Sequence, residues 1–394
     1  MIKKLLVCAK FLNRQRNLLI KPIKSHIKLA LLDRKKKVRT ALNPQQYHSV
    51  AILMNDQGIG DAIVSSYLIK SLREKGLKTY VVVEKRIKFL FDQFITVDGI
   101  LLYDKKKGIK QFKKQLTNLK IDVVIDLVDR GHNSVRRSQV ILAINPSHTI
   151  GFNQDKYKLY DTSIFYDQYT SHISMRSKKV LQLFNIEDNL IKYYINIPTE
   201  CAISAKNFIL PYISANKNII IFNPYGSNTA RSFSDTQIDS ILSCLSQYDN
   251  CVTVVVGEPN KIKHIDTPPN IIINPLTSFF ETVALIEFAT LVITVDTSIV
   301  HVASIYNKKM LCIYNNRIID NKFVNNFVWG PNYSNALQIF TADNLGTGLG
   351  DPIANLDPSV VIEKLKEELD KLALNKALNS RTDFEKFKTK ISAD

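Results

Sequence analysis

The stretch SVAILMNDQGIGDAIVSS, residues 49–66, decides the fold of this chain. It opens with a short apolar run, turns through Gly58 and Gly60, and continues in a helical pattern from Asp61. An apolar strand that leads directly into a helix is typical of a parallel sheet covered on both faces. The Rossmann fingerprint needs another glycine three residues after Gly60, where this chain has Ile63. The turn therefore disfavours a dinucleotide site.

The same alternation of strands and helices recurs in two blocks. The first block covers residues 45–170 and the second covers residues 201–345, with a connecting region over residues 171–200. A basic extension, residues 1–44, precedes them, and a charged helical tail, residues 346–394, follows. We therefore predict an α/β protein with two Rossmann-like, doubly wound domains facing across a cleft, which bind ligands at the carboxyl ends of their strands.

Strand positions follow from short runs of β-branched and aliphatic residues, with helical patterns between them. Strands are predicted at residues 49–55, 79–84, 100–103, 121–127 and 148–152, and again at 218–223, 251–256, 270–273, 290–295 and 309–314. The run at 309–314 is the last strand that the pattern indicates.

The net charge of +17 is concentrated at the N-terminus. Residues 1–43 hold thirteen lysines and arginines and one acid, whereas the remaining chain has 40 bases and 35 acids. Such an arm could contact nucleic acid, anionic lipid or solvent alone. The body lacks the basic stripe with interleaved aromatics that single-strand binders use, so we expect no nucleic-acid partner.

Cysteine usage and hydropathy indicate a cytoplasmic protein. The five cysteines are scattered without CxxC spacing, which favours a reducing compartment. The opening apolar run is too short for a secretory signal, and no run reaches the ~18 apolar residues of a membrane span. No strand ends in an acid pair, and no His/Cys cluster has ligand spacing, so we predict neither a metal nor another cofactor.

Candidate residues in the first block lie where strands end. Asp61 opens a helix at the glycine turn and can be an N-cap that satisfies backbone N–H groups or a catalytic base. After the strand at 121–127 come Arg130, Arg136 and Arg137. This basic cluster can contact an acidic acceptor or form a solvated face.

In the second block, a loop of small hydroxyl residues with Arg231 follows the first strand. It can cradle phosphate oxygens or be an ordinary polar loop. Asp296 or Thr297 caps the next helix, whose positive end would accept an anionic leaving group without a metal. His301, one turn further on, can be structural or catalytic. Glu258 can accept hydrogen bonds from a ribose or be an exposed carboxylate.

Two segments resemble the signature regions of the heptosyltransferases, glycosyltransferase family 9. They are GDAIVSSYLIKSLR, beginning at Gly60, and DTSIVHVAS, beginning at Asp296. The resemblance covers roughly residues 49–340. It implies the two-domain fold called GT-B and inverting transfer of heptose from ADP-heptose to a lipopolysaccharide or lipooligosaccharide core acceptor.

The resemblance also implies residue roles. Asp61 would be the general base, and Arg231 would stand where the family has a lysine that binds pyrophosphate. The implied donor-binding residues are Ser227, Thr229, Arg231, Glu258, Asp296, Thr297, Ser298 and His301.

The implied partners are a nucleotide sugar and a lipid-linked acidic saccharide. Residues 1–43 would then attach the enzyme to the anionic inner leaflet, as a cytoplasmic protein peripheral to the inner membrane. Two alternatives stay open. One is a transferase of the same fold that uses another nucleotide sugar, and the other is a non-catalytic adaptor for membranes or nucleic acid.

Overall fold

The structure is a computed structural model in which the chain forms two compact units. The first unit comprises the described residues up to Asp167 together with Ile173–Asn196, and the second comprises Ser171, His172 and the described residues from Ile197 onward. The described residues are 23–34, 38–93, 95–129, 135–167, 171–187, 190–316, 318–319, 322–323, 328–342, 344 and 350–391.

In the first unit, strands and helices alternate from Ser49 onward. The strands are β1 (Ser49–Leu53), β2 (Lys78–Val83), β3 (Gly99–Leu102), β4 (Val123–Asp129), β5 (His148–Phe152) and β6 (Thr162–Ile164). The helices are α1 (23–33), α2 (Ile59–Glu74), α3 (Lys85–Gln93), α4 (Gly108–Lys113), α5 (Val135–Ile144) and α6 (Ser174–Leu183).

These strands form a parallel sheet in the order β3-β2-β1-β4-β5-β6. Every residue of β1 and of β5 is buried, which is why both read as continuous apolar runs rather than alternating ones. The chain leaves β1 towards one side of the sheet and returns to the other side with β4. A ligand crevice in such a sheet opens beyond the carboxyl ends of these two strands.

The second unit repeats the pattern. Its strands are β7 (Asn218–Asn223), β8 (Cys251–Val255), β9 (Ile271–Ile273), β10 (Leu291–Val295), β11 (Lys309–Tyr314), β12 (Ile318–Ile319), β13 (Lys322–Phe323) and β14 (Ala336–Phe340). Its helices are α7 (Thr199–Ser214), α8 (Asp235–Leu245), α9 (Pro259–Ile262), α10 (Phe279–Phe288), α11 (Ser298–Ile305) and α12 (Pro358–Ile391).

The second sheet has the order β9-β8-β7-β10-β11-β14, again fully parallel. Counted from its own first strand, this is the same connectivity as in the first unit, so the crossover here lies between β7 and β10. β12 and β13 form a separate antiparallel pair.

Both sheets end in strands that the sequence pattern did not predict. The prediction that 309–314 is the last strand was wrong, because β14 pairs with β11 along its length. Only Ile339 of β14 is buried, and all of β6 is half-buried, so neither edge strand carries a continuous apolar run. Within the predicted connecting region, α6 packs against α2 in the first unit.

The tail helix α12 completes the core of the second unit. Val361, Leu365 and Leu369 are fully buried in the same cluster as Leu242 of α8. Their spacing of four residues places them on one face of the helix. Among the described residues, no helix combines the length and the apolarity needed to cross a bilayer.

Candidate active site

The ends of β7 and β10 are joined by the side chain of Asn223. This residue is 3% exposed, and its Nδ2 donates to Thr294 Oγ1 and to Thr297 Oγ1, each at 2.9 Å. The two bonds fix the point at which the strand order reverses. The sequence analysis assigned Asn223 no role. The signal that could have identified it is a polar residue at the end of an apolar strand, just before Pro224.

An ion pair lies beside this crossover. Nη1 of Arg231 is 3.3 Å from Oδ2 of Asp296, and the two side chains are 30% and 11% exposed. Burial raises the pKa of the Asp296 carboxyl, and the Arg231 guanidinium opposes that rise. The pair brings together two of the predicted donor-binding residues, one from the loop after β7 and one from the end of β10.

The loop that carries Arg231 closes tightly on itself. A Cβ at Gly226 would lie 2.4 Å from the carbonyl oxygen of Arg231, so only glycine fits there. Asn228 Oδ1 accepts from the Arg231 N–H at 3.2 Å and thereby caps the single 3-10 turn Thr229–Arg231. The predicted hydroxyl donors Ser227 and Thr229 are both exposed on this loop. The guanidinium is thus presented on a fixed backbone.

Helix α11 begins directly after Asp296. Thr297 is its N-cap, and its Oγ1 accepts from the Ile299 N–H at 3.2 Å. Thr297 and Ser298 are half-buried, so the first turn of the helix remains partly accessible. The N–H groups of a first turn and the helix dipole favour a negatively charged group at this end.

His301 lies one turn into α11 and is 5% exposed. Burial lowers the pKa of His301 to about 3, with a further lowering from His172, so the ring is neutral at pH 7. The centre of its ring is 6.5 Å from that of Trp329. His301 is a packed, neutral side chain, and its contact with a donor stays a prediction.

Glu258 follows β8 at the same edge of the sheet. Its side chain is 71% exposed, and it pairs with Lys261 at 2.9 Å, one turn along the chain. The preceding Gly257 runs close to Asn223, since a Cβ there would be 3.8 Å from Asn223 Oδ1. Of the two alternatives that the sequence left open, the structure shows an exposed carboxylate, and the predicted contact of Glu258 with a ribose stays a prediction.

In the first unit, Asp61 lies in the first turn of α2 and is half-buried. Its Oδ2 accepts a 2.6 Å hydrogen bond from the N–H of Gly58, the N-cap of the helix, and so satisfies one backbone donor at the helix start. Burial raises the pKa of the Asp61 carboxyl; hydrogen bonds from Gly58 and from its own N–H oppose the rise, as do Arg86 and Arg176. Asp61 therefore supports the helix start from the third helical position, and the N-cap expected at Asp61 is Gly58 instead; the role of Asp61 as base stays a prediction.

A network of charged residues surrounds this turn. Asp56 has the left-handed φ of 70° that the turn requires. Nζ of Lys105 lies 2.8 Å from carboxylate oxygens of both Asp56 and Glu84. Arg86 Nη2 donates to the carbonyl of Gln57. Sequence reasoning missed Glu84 and Lys105, although Glu84 follows its strand directly and Lys105 comes soon after the next one.

Arg176 of α6 is anchored at the end of β4. It donates to Asp129 Oδ2 at 3.1 Å and to the carbonyl of Leu127 at 2.5 Å. Its guanidinium also lies 4.5 Å from the centre of the Tyr166 ring. This arginine is buried, and its charge lowers the pKa of Asp61. The position of α6 therefore affects the pKa of Asp61 at the glycine turn.

The three arginines expected to bind an acceptor have different positions. Arg136 is 51% exposed and lies 3.9 Å from Asp56. Arg137 does not fit the expectation: it is 1% exposed, its Nε donates to Asp126 at 3.0 Å, and its Nη1 donates to the carbonyl of Asn55 at 2.7 Å. Its charge is neutralised by the buried ion pair with Asp126. Arg130 lies outside the described residues.

The described part of the chain holds no group of three or more His, Cys, Asp or Glu side chains placed to bind an ion. The proposed anion-binding groups of the second unit are instead a guanidinium, hydroxyls and backbone N–H groups.

Two parallel doubly wound units in one chain, each with polar residues at its crossover, are the architecture of the GT-B fold. The model of glycosyltransferase family 9 (heptosyltransferase) matches residues 109–335, and the chain belongs to this family.

Individual relatives agree with this assignment. The chain is 24% identical over 318 residues to an Escherichia coli K12 protein named "Putative lipopolysaccharide heptosyltransferase 4", which covers 79% of this chain and 86% of the relative. A family 9 glycosyl transferase from Veillonella parvula superposes with a TM-score of 0.66 at 16% identity, over 84% of this chain and 99% of that one. The E. coli ADP-heptose lps heptosyltransferase II superposes with a TM-score of 0.61 at 14% identity, over 82% of this chain and 99% of that one. At these identities the solved structures show the fold.

Proposed function

We propose that the protein is an inverting, metal-independent glycosyltransferase that transfers heptose from ADP-heptose to a lipopolysaccharide or lipooligosaccharide core acceptor. The observation that carries this proposal is the ion pair of Arg231 with Asp296 beside the capped start of α11. A buried carboxylate holds a guanidinium next to the positive end of the α11 dipole, an arrangement that suits a diphosphate. Family membership supports a heptose as the sugar.

The second unit would hold the donor. In this proposal, Arg231 and the N–H groups at the start of α11 bind the diphosphate, with the hydroxyls of Ser227 and Thr229 as further donors. Asp296 accepts from sugar hydroxyls, and Glu258 accepts from the ribose. The groups that bind the ground-state diphosphate also stabilise the charge that develops on it as it leaves.

The first unit would supply the base. An acceptor hydroxyl attacks the anomeric carbon, the bond from that carbon to the diphosphate oxygen breaks, and the carboxylate of Asp61 takes the hydroxyl proton. ADP departs with the bonding electron pair, and the single displacement inverts the anomeric configuration. Burial raises the pKa of Asp61 and so makes it a stronger base than an ordinary carboxylate, while Arg86 and Arg176 oppose that rise.

The acceptor would be recognised by its acidic groups. Arg136 is half-exposed beside the glycine turn, and we propose that it contacts a phosphate or an acidic sugar, together with Arg130. Arg137 is left out of this site because it is buried. A lipid-linked acceptor fits a cytoplasmic enzyme that is peripheral to the inner membrane.

A donor comparison tests the proposal. The binding of ADP-heptose, ADP-glucose and UDP-N-acetylglucosamine to the full chain is measured by calorimetry with EDTA present, and transfer is followed by ADP release in the presence of core acceptor. ADP-heptose should bind at least about tenfold more tightly than the others, the equivalent of one good hydrogen bond. Preference for another donor would indicate a different transferase of this fold, and binding of nucleic acid without any donor would indicate an adaptor.

A further inference from the structure

Helix α1 presents a row of large aliphatic side chains outwards. Ile23, Ile27 and Leu31 are 60%, 57% and 56% exposed. Residues four apart lie on the same face of a helix, so the three form one stripe along α1. Exposed aliphatic residues occur singly on most surfaces, but a contiguous stripe of this kind marks an interaction site.

The opposite face holds α1 against the first unit. Leu29 is 6% exposed. At the end of the helix, Asp33 Oδ1 accepts from the N–H of Leu159 at 2.8 Å, and further on the Thr40 N–H donates to Asp161 Oδ1 at 2.7 Å. The stripe therefore lies on a docked element and not on the face that packs against the body.

Positive charge borders the stripe. Lys24 and Lys28 are exposed along one side of it, and Arg34 is exposed at its end. Lys156 and Lys158 are exposed on the turn that runs beside Leu159, where Asp33 is bonded. Asp33, at the end of the helix, already accepts a backbone hydrogen bond, and Asp155 is the one acid on the turn that carries Lys156 and Lys158.

We propose that this surface of α1 docks on an anionic lipid bilayer. Ile23, Ile27 and Leu31 enter the boundary between headgroups and acyl chains, and Lys24 and Lys28 contact lipid phosphates. An apolar helix face bordered by lysine and arginine is what interfacial helices use, since the long side chains reach back to the headgroups. A nucleic acid would match the charges but offers nothing to cover the aliphatic stripe. The docking surface rests on the proposed function only for its purpose, which would be access to a lipid-linked acceptor. The binding to lipid does not depend on it.

Sedimentation with vesicles tests the docking surface. The full chain is mixed with phosphatidylglycerol–phosphatidylcholine vesicles or with phosphatidylcholine alone, without donor or acceptor. Changing Ile23, Ile27 and Leu31 to serine should lower partitioning onto the anionic vesicles at least about tenfold. The matched control changes Ile203, Leu210 and Ile213 of α7, which are 54%, 45% and 40% exposed, and should leave partitioning unchanged.

Charge variants provide a second measurement that does not alter the apolar stripe. Lys24→Gln and Lys28→Gln should each weaken binding to anionic vesicles about fivefold at low salt, whereas Lys110→Gln on α4 should not. Added salt should weaken the attraction. Equal partitioning by wild type and both sets of variants would overturn the proposal, as would loss of binding only in the α7 control.

The outcome is independent of the transferase assignment. ADP-heptose binding should be the same in the wild type and in the α1 variants. Vesicle binding that persists without any donor binding would contradict the proposed function alone. Donor binding that persists with no preference for anionic vesicles would contradict the docking surface alone.

Discussion

Arg231 and Asp296 are 65 residues apart in the chain, and their side chains meet at 3.3 Å where β7 and β10 run side by side. Two loops that follow neighbouring strands are thereby joined through opposite charges. The 11% exposure of Asp296 means that its carboxylate depends on the guanidinium for charge compensation. Any change to Arg231 should therefore affect both the anion site and the buried acid beside it.

We predict that Arg231→Ala weakens ADP affinity about 10- to 100-fold, the usual value of hydrogen bonds from a charged donor. Calorimetric titration with ADP measures this directly. Arg231→Lys should recover part of the affinity, because it restores the charge without the bidentate geometry. Lys263→Ala, which removes an exposed base after the neighbouring strand, is the control. Similar losses in the alanine variants of Arg231 and Lys263 would contradict a specific diphosphate site.

Adjacent arginines of α5 should behave differently. Arg137→Ala leaves Asp126 buried without its partner and should lower the free energy of unfolding by about 3–5 kcal/mol. Arg136→Ala removes an exposed group and should cost less than about 1 kcal/mol. Urea denaturation measures both changes.

Kinetics of the Arg136 variant test acceptor binding separately from stability. Arg136→Ala should raise the KM for the acceptor about tenfold, with the KM for the donor unchanged. An unchanged acceptor KM would remove Arg136 from the proposed acceptor site.

How well each strand could be predicted from the sequence depends on how deeply that strand is buried. The central strands β1 and β10 are buried on both faces, so their apolar runs were recognisable and the residues that follow them, Asp61 and Asp296, could be singled out. The edge strands β6 and β14 are short and have only one buried residue between them, so they carry no continuous apolar run and were missed.

The interaction partners of the side chains were harder to predict from the sequence than the positions of the strands and helices. Arg136 and Arg137 are equivalent in the sequence, and only the turn of α5 decides which one faces the core. Asn223 acquires its role from Thr294 and Thr297, both more than 70 residues away. Such pairs depend on the crossover of the sheet, which no local pattern encodes.

The pH dependence of turnover should respond to Arg86. Its positive charge lowers the pKa of Asp61, so Arg86→Gln should raise that pKa. Because the base must be unprotonated, the acidic limb of the kcat/KM profile should move to higher pH. Lys88→Gln, which removes a base paired with Asp92 on the same helix, is the control and should leave the profile in place. A shift to lower pH for Arg86→Gln would contradict the assignment of Asp61.

The two interpretations of Asp61 make opposite predictions for Asp61→Asn. The amide oxygen can still accept the hydrogen bond from Gly58, so the start of α2 should persist, but the amide cannot take a proton. If Asp61 is the base, kcat should fall roughly 10²–10⁴-fold. If Asp61 only caps the helix, the change should cost at most about 1 kcal/mol of stability and leave turnover near normal.

Single-turnover transfer by Asp61→Asn, measured beside its ADP-heptose affinity, is the most direct test of the account. We predict a rate at least about a hundredfold below wild type with donor affinity unchanged within about twofold, since the proposed donor-binding groups belong to the second unit. A rate close to wild type, with the same donor affinity, would contradict the assignment of the catalytic base.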